Sequence, residues 1–354
     1  MNIEQLIRPD LLDLKPYSSA RDEFEGEASV YLDANENPFE NGFNRYPDPL
    51  QIKLKQKIAV IKNCEPDNIF LGNGSDECID LLIRLFCEAY KDEIVSISPS
   101  YGMYAVSAKI NAVKLNNVLL KDDFSLNLSA ILEQGSTAKI LFICSPNNPT
   151  GQSFAKKDIE FLIQNFKGIV VIDEAYIDFS EEKSAIELIE KYDNLVITQT
   201  FSKAFGLAGA RLGMLFSNKK IISWLNKIKP PYNINILTQD LVSKVLENYA
   251  KIQEEIEIIK QERQKMISEL QQIEAIETVF PSDSNFVLIR IKNADEIYSK
   301  LIQKGIVVRN RSSQALCSST LRITVGTKQE NEKLLQELKK MVTFENGAGG
   351  TKHL

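Results

Sequence analysis

Histidine is almost missing from this chain: of 354 residues only His353 is one, next to last in the tail ENGAGGTKHL. That excludes a Ser-His-Asp triad, a Cys-His pair and nearly every histidine-based zinc site, so no metal is expected. If the chain is an enzyme, a group other than imidazole moves its protons. Five cysteines (Cys64, Cys78, Cys87, Cys144 and Cys317) form no C-x-x-C pair, and an odd count at scattered spacing is no disulfide framework. A reducing cytoplasm is therefore the expected location. No apolar run approaches the roughly 18 residues of a membrane span. The opening MNIEQLIRPD has neither the basic start nor the apolar block of a secretion signal. Positive charge is also in short supply. Lys and Arg number 42 against 48 Asp and Glu, a net charge of −6, which argues against nucleic acid or an anionic membrane surface as partner.

What is present is the composition of a soluble globular protein, 44% hydrophobic and 25% charged, at a length that suggests two domains. Apolar runs at 94–98, 138–144, 168–176 and 194–201 have no strict polar alternation, as expected of strands buried on both faces. Between them, 50–61, 77–89 and 156–166 place apolar residues three and four apart, the spacing of amphipathic helices. The alternation predicts an α/β fold, with a large domain built on a mainly parallel central sheet flanked by helices. From about Asn233 to Ile276 the pattern turns helical, long enough to carry the chain from one domain to another. After Pro281 a β-α-β-β-α order predicts a smaller α+β domain. The expected organisation is an N-terminal segment over 1–43 packing with the small domain, a large domain over 44–276 and a small domain over 277–354. The Gly-rich tail is expected to fray.

Ligands in α/β sheets bind beyond the carboxyl ends of the strands, and the polar residues worth weighing lie there. In TQTFSKAFGLAGARLG (198–213), Thr200 and Ser202 precede Lys203, and Arg211 follows it by eight. A lysine alone is an ordinary surface residue. Two hydroxyls, a lysine and an arginine around a Gly-rich turn suit a phosphate beside a reactive amine. That amine condenses with an aldehyde only when neutral, so burial and cationic neighbours must depress its pKa. In VVIDEAYIDF (170–179), Asp173 ends an apolar strand and Tyr176 follows. Asp173 could merely cap a loop; near a heterocyclic nitrogen it would keep that nitrogen protonated, while the phenol bonds a ring oxygen. Those are the needs of pyridoxal phosphate. CSPNNPTG (144–151) reads as turn chemistry, although Asn148 could donate to a phenolate-like oxygen. In FLGNGSDE (70–77) a dinucleotide fingerprint fails, because Glu77 stands where its third glycine belongs. A helix start remains, with Ser75 or Asp76 either capping it or offering backbone N–H groups to a single phosphate. Tyr101, in SPSYGMY (98–104), is either core or a stacking face for a flat ring. Arg309 and Arg322, thirteen apart, could clamp an anion together.

Taken together, LDANENP (32–38), RYPDP (45–49), GNGSDE (72–77), SYGMY (100–104), SPNNPTG (145–151), DEAY (173–176), FSKAFGLAGARLG (201–213) and LRITVG (321–326) resemble fold-type I pyridoxal-phosphate aminotransferases, and within them the histidinol-phosphate aminotransferases. The resemblance runs from PYSSAR (16–21) to VGTKQEN (325–331). It implies that Lys203 forms the internal aldimine with pyridoxal 5′-phosphate, that Asp173 pairs the pyridinium, and that Tyr176 and Asn148 contact the ring hydroxyl. Tyr101 would stack on the ring. Backbone amides of Ser75 and Asp76, with Thr200, Ser202 and Arg211, would hold the phosphate. Tyr46 would reach the cofactor phosphate of a neighbouring subunit, which implies a homodimer with shared sites. Arg322 would bind the substrate's carboxylate or phosphate, with Arg309, Tyr17 and Asn35 on the same side. The implied reaction is transfer of an amino group between L-histidinol phosphate and 2-oxoglutarate. An aromatic-amino-acid aminotransferase or a threonine-phosphate decarboxylase would share cofactor and fold. A non-catalytic regulator on this fold would need a basic DNA-binding segment, which this acidic chain lacks.

Overall fold

The computed structural model describes residues 2–17 and 29–347. The last four residues of PYSSAR and the tail expected to fray, His353 included, lie outside the described residues. The large sheet contains β1 (Ile69–Asn73), β2 (Glu93–Ser98), β3 (Lys114–Leu119), β4 (Ile140–Cys144), β5 (Ile169–Asp173), β6 (Leu195–Thr200) and β7 (Leu212–Ser217). Its spatial order is β1-β7-β6-β5-β4-β2-β3. Pairings from β3 through β6 are parallel, whereas β7 runs antiparallel to both β6 and β1. Helices α1 (Ile52–Lys62), α2 (Gly74–Phe86), α3 (Met103–Ile110), α4 (Leu128–Gln134), α5 (Lys156–Asn165), α6 (Lys219–Ile228) and α7 (Ile236–Leu246) surround it.

The apolar runs are explained by two cores, one on each face of this sheet. Along β5, Val170 and Ile172 enter one core while Ile169 and Val171 enter the other; β6 and β4 alternate in the same way. Both faces being covered, the strands need no polar alternation. The long α8 (Tyr249–Leu270) starts on the first core through Ile252 and Ile256 and ends on a third through Met266 and Leu270. That third core lies on a smaller antiparallel sheet of β8 (Ile276–Val279), β9 (Phe286–Ile291), β10 (Arg309–Asn310) and β11 (Thr320–Thr324), in the order β10-β11-β9-β8. Helices α9 (Ala294–Gln303) and α10 (Lys328–Gly347) belong to this part. Val287, Ile289 and Ile291 of β9 face them, whereas Phe286 and Leu288 pack into the core of the large sheet. One strand thus fixes the small sheet against the large one.

The first residues depart from expectation. Ile3 and Ile7 are buried in the large-sheet core that holds Leu85 and Trp224, and the Arg8 N–H donates to Leu85 O at 3.0 Å. Residues 3–11 therefore pack on the large sheet's helices, not on the small domain, because the apolar face available to them is on α2 and α6. The start of α2 also differs. Its N-cap is Asn73, neither Ser75 nor Asp76. Glu77, four residues on, accepts from the Asn73 N–H at 2.5 Å, which leaves Ser75 and Asp76 in the first turn beside a cavity.

Candidate active site

β2, β4, β5 and β6 end at the same edge of the sheet, and the loops that follow them close around a cavity of about 160 Å³. Lys203 and Arg211 line it from the loops beyond β6, with Thr200 and Ser202; Asp173 and Tyr176 line it from the end of β5; Ser75, Asp76 and Tyr101 complete it. Nine residues singled out from separate stretches of sequence thus share one hollow.

Asp173 occupies its dry end. It is 2% exposed, its Oδ2 accepts from the Tyr104 hydroxyl at 2.6 Å, and its Oδ1 accepts from the Ala175 N–H at 3.3 Å. Burial pushes its carboxyl above the usual range, opposed first by the Tyr104 bond. Lys203 occupies the wetter end, open to solvent along the cavity. Protein packed around its amine, and then the Arg322 guanidinium, lower its pKa; Asp173 and Asp76 oppose this. Its Nζ lies 5.7 Å from the centre of the Tyr176 ring. Burial also raises the phenols of Tyr176 and Tyr101, which stay protonated donors at neutral pH.

The turn from Gly74 to Asp76 is clamped to the Lys203 loop. Arg211 has left-handed backbone, φ +51°, and its carbonyl accepts from the Gly74 N–H at 2.8 Å. A Cβ on Gly74 would stand 2.7 Å from Arg211 Nη2, so glycine is what lets the guanidinium lie over this turn. Asp76 takes a bond from the Tyr101 hydroxyl at 3.0 Å and lies 3.7 Å from Arg211 Nη2. The Ser202 N–H donates to Thr200 Oγ1 at 3.1 Å.

The small sheet approaches from the side of Asn148. Arg322 on β11 stacks 5.0 Å over Phe286 and donates to Asn148 Oδ1 at 2.5 Å. Asn148 Nδ2 in turn lies 3.4 Å from the Tyr176 hydroxyl. Arg309 is the direct cross-strand partner of Arg322 but is exposed. Tyr17, Asn35 and Tyr46 do not line this cavity. Tyr17 lines a separate hollow with Asp48, Tyr46 stacks on Tyr232 at 4.5 Å, and Asn35 is exposed with φ +54°.

Sequence reasoning missed three residues. Tyr104 follows Tyr101 by three, one helical turn on, and the signal was a second phenol in an otherwise apolar stretch. Arg311 alternates with Arg309, and burial together with Arg322 lowers its pKa to about 10. Glu174, beside Asp173, is fully enclosed and accepts from Ser184 Oγ, the Ala185 N–H and Gln199 Nε2 at 2.5, 2.6 and 2.8 Å.

Residues 29–338 match the family model described as aminotransferase class I and II. A histidinol-phosphate aminotransferase of Christiangramia forsetii is 51% identical over 343 residues, 96% of this chain and 98% of that protein. The crystal structure of the histidinol-phosphate aminotransferase from Clostridium acetobutylicum superposes with a TM-score of 0.78 at 29% identity, over 85% of this chain and 92% of that one. The Sinorhizobium meliloti histidinol-phosphate aminotransferase, solved in complex with pyridoxal-5′-phosphate, shares the fold with a TM-score of 0.76 at 24% identity, over 85% and 84% of the two chains. With a lysine amine, a buried carboxylate and a clamped turn in one hollow, and half its residues shared with such enzymes along nearly its whole length, the chain belongs to the class I and II aminotransferases and, among them, to the histidinol-phosphate aminotransferase family.

Proposed function

We propose that this chain transfers an amino group reversibly between L-histidinol phosphate and 2-oxoglutarate, giving imidazole acetol phosphate and L-glutamate, with pyridoxal 5′-phosphate held at Lys203. The reading rests on one observation: a lysine whose amine is pushed toward neutrality shares a 160 Å³ hollow with a carboxylate shut away from water. The hollow fits the cofactor. Hydroxyls of Ser75, Thr200 and Ser202, first-turn N–H groups of Ser75 and Asp76, and the Arg211 guanidinium suit its phosphate. The groups facing Asp173 are a phenol, the Thr198 hydroxyl and a backbone N–H, none of them a cation, so a ring N–H⁺ would complete it. Asn148 and Tyr176 stand as the donors for a ring oxygen, and Tyr101 as the stacking face.

When bound, the cofactor supplies an aldehyde for amines and a ring that stores the electron pair left by a departing proton. The chain's own residues do the rest. Lys203 Nζ would accept the proton lost from the substrate α-carbon, which requires the neutral amine that burial and Arg322 favour. Asp173 would keep the ring nitrogen protonated. Arg322, anchored on Asn148, would bind the carboxylate of glutamate or the phosphate of histidinol phosphate, with Arg309 beside it on the paired strand; Tyr17 and Asn35, which lie away from this hollow, could join that side only from a neighbouring subunit. The large domain, 44–276, would carry the cofactor and the small domain, 277–354, would bring the arginines.

We further infer a homodimer. Leu32, Phe39 and Phe43 are 89%, 79% and 61% exposed, large apolar side chains in one segment of the kind a partner covers. Tyr46, in the same stretch of chain and tied to it by the bond from its N–H to Glu36 Oε1 at 2.7 Å, would then reach the partner's cofactor phosphate. No helix among the described residues is long and apolar enough to cross a membrane, and all five cysteines are free, consistent with work in a reducing cytoplasm. Steady-state turnover of histidinol phosphate, phenylalanine and threonine phosphate tests the substrate. Histidinol phosphate should be the preferred amine; negligible turnover of it beside rapid turnover of either other compound overturns this assignment.

A further inference from the structure

Asp173 must stay ionised at the driest point of the hollow, and burial opposes that. The carboxylate's own loop gives little help: Oδ1 takes a long bond from Ala175, the Thr198 hydroxyl across the ladder on β6 helps less than Tyr104, and Asp76, which also faces the hollow, repels further negative charge. The answer comes from a different element. Tyr104, in the first turn of α3, is 1% exposed and reaches across to Asp173 Oδ2 with a short bond of 2.6 Å. Its ring is locked from two sides, stacked on Phe142 of β4 at 4.8 Å and 17°, and edge-on to Tyr101 at 5.6 Å and 85°. The two ring contacts fix where the hydroxyl oxygen sits, and the other acceptor within its reach, the Cys144 sulfur, is much weaker than a carboxylate.

We propose that Tyr104 is a positioning residue: its hydroxyl fixes Oδ2 and keeps Asp173 a carboxylate, so that Oδ1 is presented to the cofactor's ring nitrogen and the proton stays on that nitrogen. The inference rests on the functional reading above and goes beyond it, since Tyr104 would touch neither cofactor nor substrate. A hydrogen bond to a carboxylate stabilises the ionised form more than the neutral one. Without it, the carboxylate becomes the stronger base, and the ring proton moves from nitrogen to an Asp173 oxygen, leaving two neutral groups. A neutral pyridine is a poor electron store, so the deprotonation of substrate slows.

Tyr104→Phe removes only the hydroxyl and keeps both ring contacts. The test reconstitutes wild type and variant with nitrogen-15-labelled pyridoxal phosphate and records the ring-nitrogen resonance, which reports protonation without any substrate. Wild type should show a protonated ring nitrogen and the variant a shift toward neutral pyridine. Turnover number should fall roughly ten- to a hundred-fold, the worth of one bond to a charged group, with KM nearly unchanged. An unshifted resonance in a variant that binds the cofactor overturns the proposal, even if activity falls, because a packing role would spare the ring proton. A wild type that takes up no pyridoxal phosphate overturns the functional reading and this proposal together. A variant indistinguishable from a competent wild type overturns the proposal alone.

Discussion

Gly213→Ala should damage the cofactor site through the backbone without replacing any residue that meets the cofactor. Gly213 of β7 pairs with Gly72 of β1 in the antiparallel register that ends beside the first turn of α2. A Cβ there would stand 2.2 Å from Ser75 N, 2.3 Å from Gly74 C and 2.6 Å from Gly74 O. All three are main-chain atoms, so no side chain can rotate away. Either β7 slides in its ladder or the turn from Gly74 to Asp76 moves off the Lys203 loop, stretching the bond from the Gly74 N–H to Arg211 O. Forcing a methyl into a packed site costs about 1–3 kcal/mol. If phosphate binding must restore the native turn, that cost appears in cofactor affinity as a loss of roughly 5- to 150-fold. The assay is a titration of apo-protein with pyridoxal phosphate, followed by its visible band, with melting temperature measured in parallel. Gly102→Ala is the control: its Cβ meets nothing within 4 Å, and its backbone is already right-handed at φ −67°. Affinity of Gly213→Ala within twofold of wild type, with an unchanged melting temperature, would show that the turn is not held where the contacts place it.

Lys203→Ala should abolish the yellow adduct that borohydride reduces in wild type; a reducible band surviving in the variant would remove Lys203 from its role. Asp173→Asn should melt near the wild-type temperature yet lose about a hundredfold or more of its transamination, the scale of removing one preorganised electrostatic group. Wild-type turnover in that variant would contradict the pairing with the ring nitrogen. Arg322→Gln should lower kcat/KM for both anionic substrates by about 10- to 100-fold, whereas an effect on only one would assign the arginine to that anion alone. Glu174, enclosed by Ser184, Ala185 and Gln199, has its pKa raised by burial from 4.5 to about 7. Because the folded value is the higher one, stability is fully present below about pH 4.5 and is lost as pH rises toward 7, by about 3 kcal/mol in all. Denaturant midpoints of the apo-protein between pH 5 and 7 should fall less steeply in Glu174→Gln; parallel curves would mean that Glu174 is ionised throughout.

The buried strands were legible because their apolar runs serve two cores at once, and β2, β4, β5 and β6 fall within a few residues of the runs that announce them. What escaped were strands without that signature. β3, reading KLNNVL, is an edge strand with a polar, half-wet surface; β7 lies inside a Gly-rich stretch and runs against its neighbours; β8 has four residues and one bulge. The site divides in the same way. Lys203, Asp173, Tyr176, Thr200 and Arg211 follow strand ends, where local pattern and sheet topology agree. Tyr104 and Arg311 matter through neighbours 69 and 11 residues away, Asp173 and Arg322, and no local pattern carries such a distance. Glu77 shows the reverse: a residue that spoils one motif by its bulk holds the N–H of Asn73, the N-cap of the very helix that motif would open.

Burial acts on the two ends of the hollow in opposite chemical directions and toward one purpose. For a lysine, loss of water favours the neutral amine, the form that attacks an aldehyde or takes a proton. For a carboxyl, the same loss favours the neutral acid, the form that cannot hold a pyridinium. A uniformly dry cavity would therefore activate Lys203 and disable Asp173. The observed asymmetry resolves this conflict. Asp173, almost without exposure, is given a locked phenolic donor, while Lys203 keeps contact with solvent and has its charge opposed by Arg322. Arg322 belongs to the small sheet, so the push on the lysine depends on how closely β11 lies to Asn148, whereas the support for Asp173 is built wholly within the large sheet. The anchor for the ring is thus set by the rigid layer, and the reactivity of the amine by the contact between the two layers, the same contact through which an anionic substrate would enter.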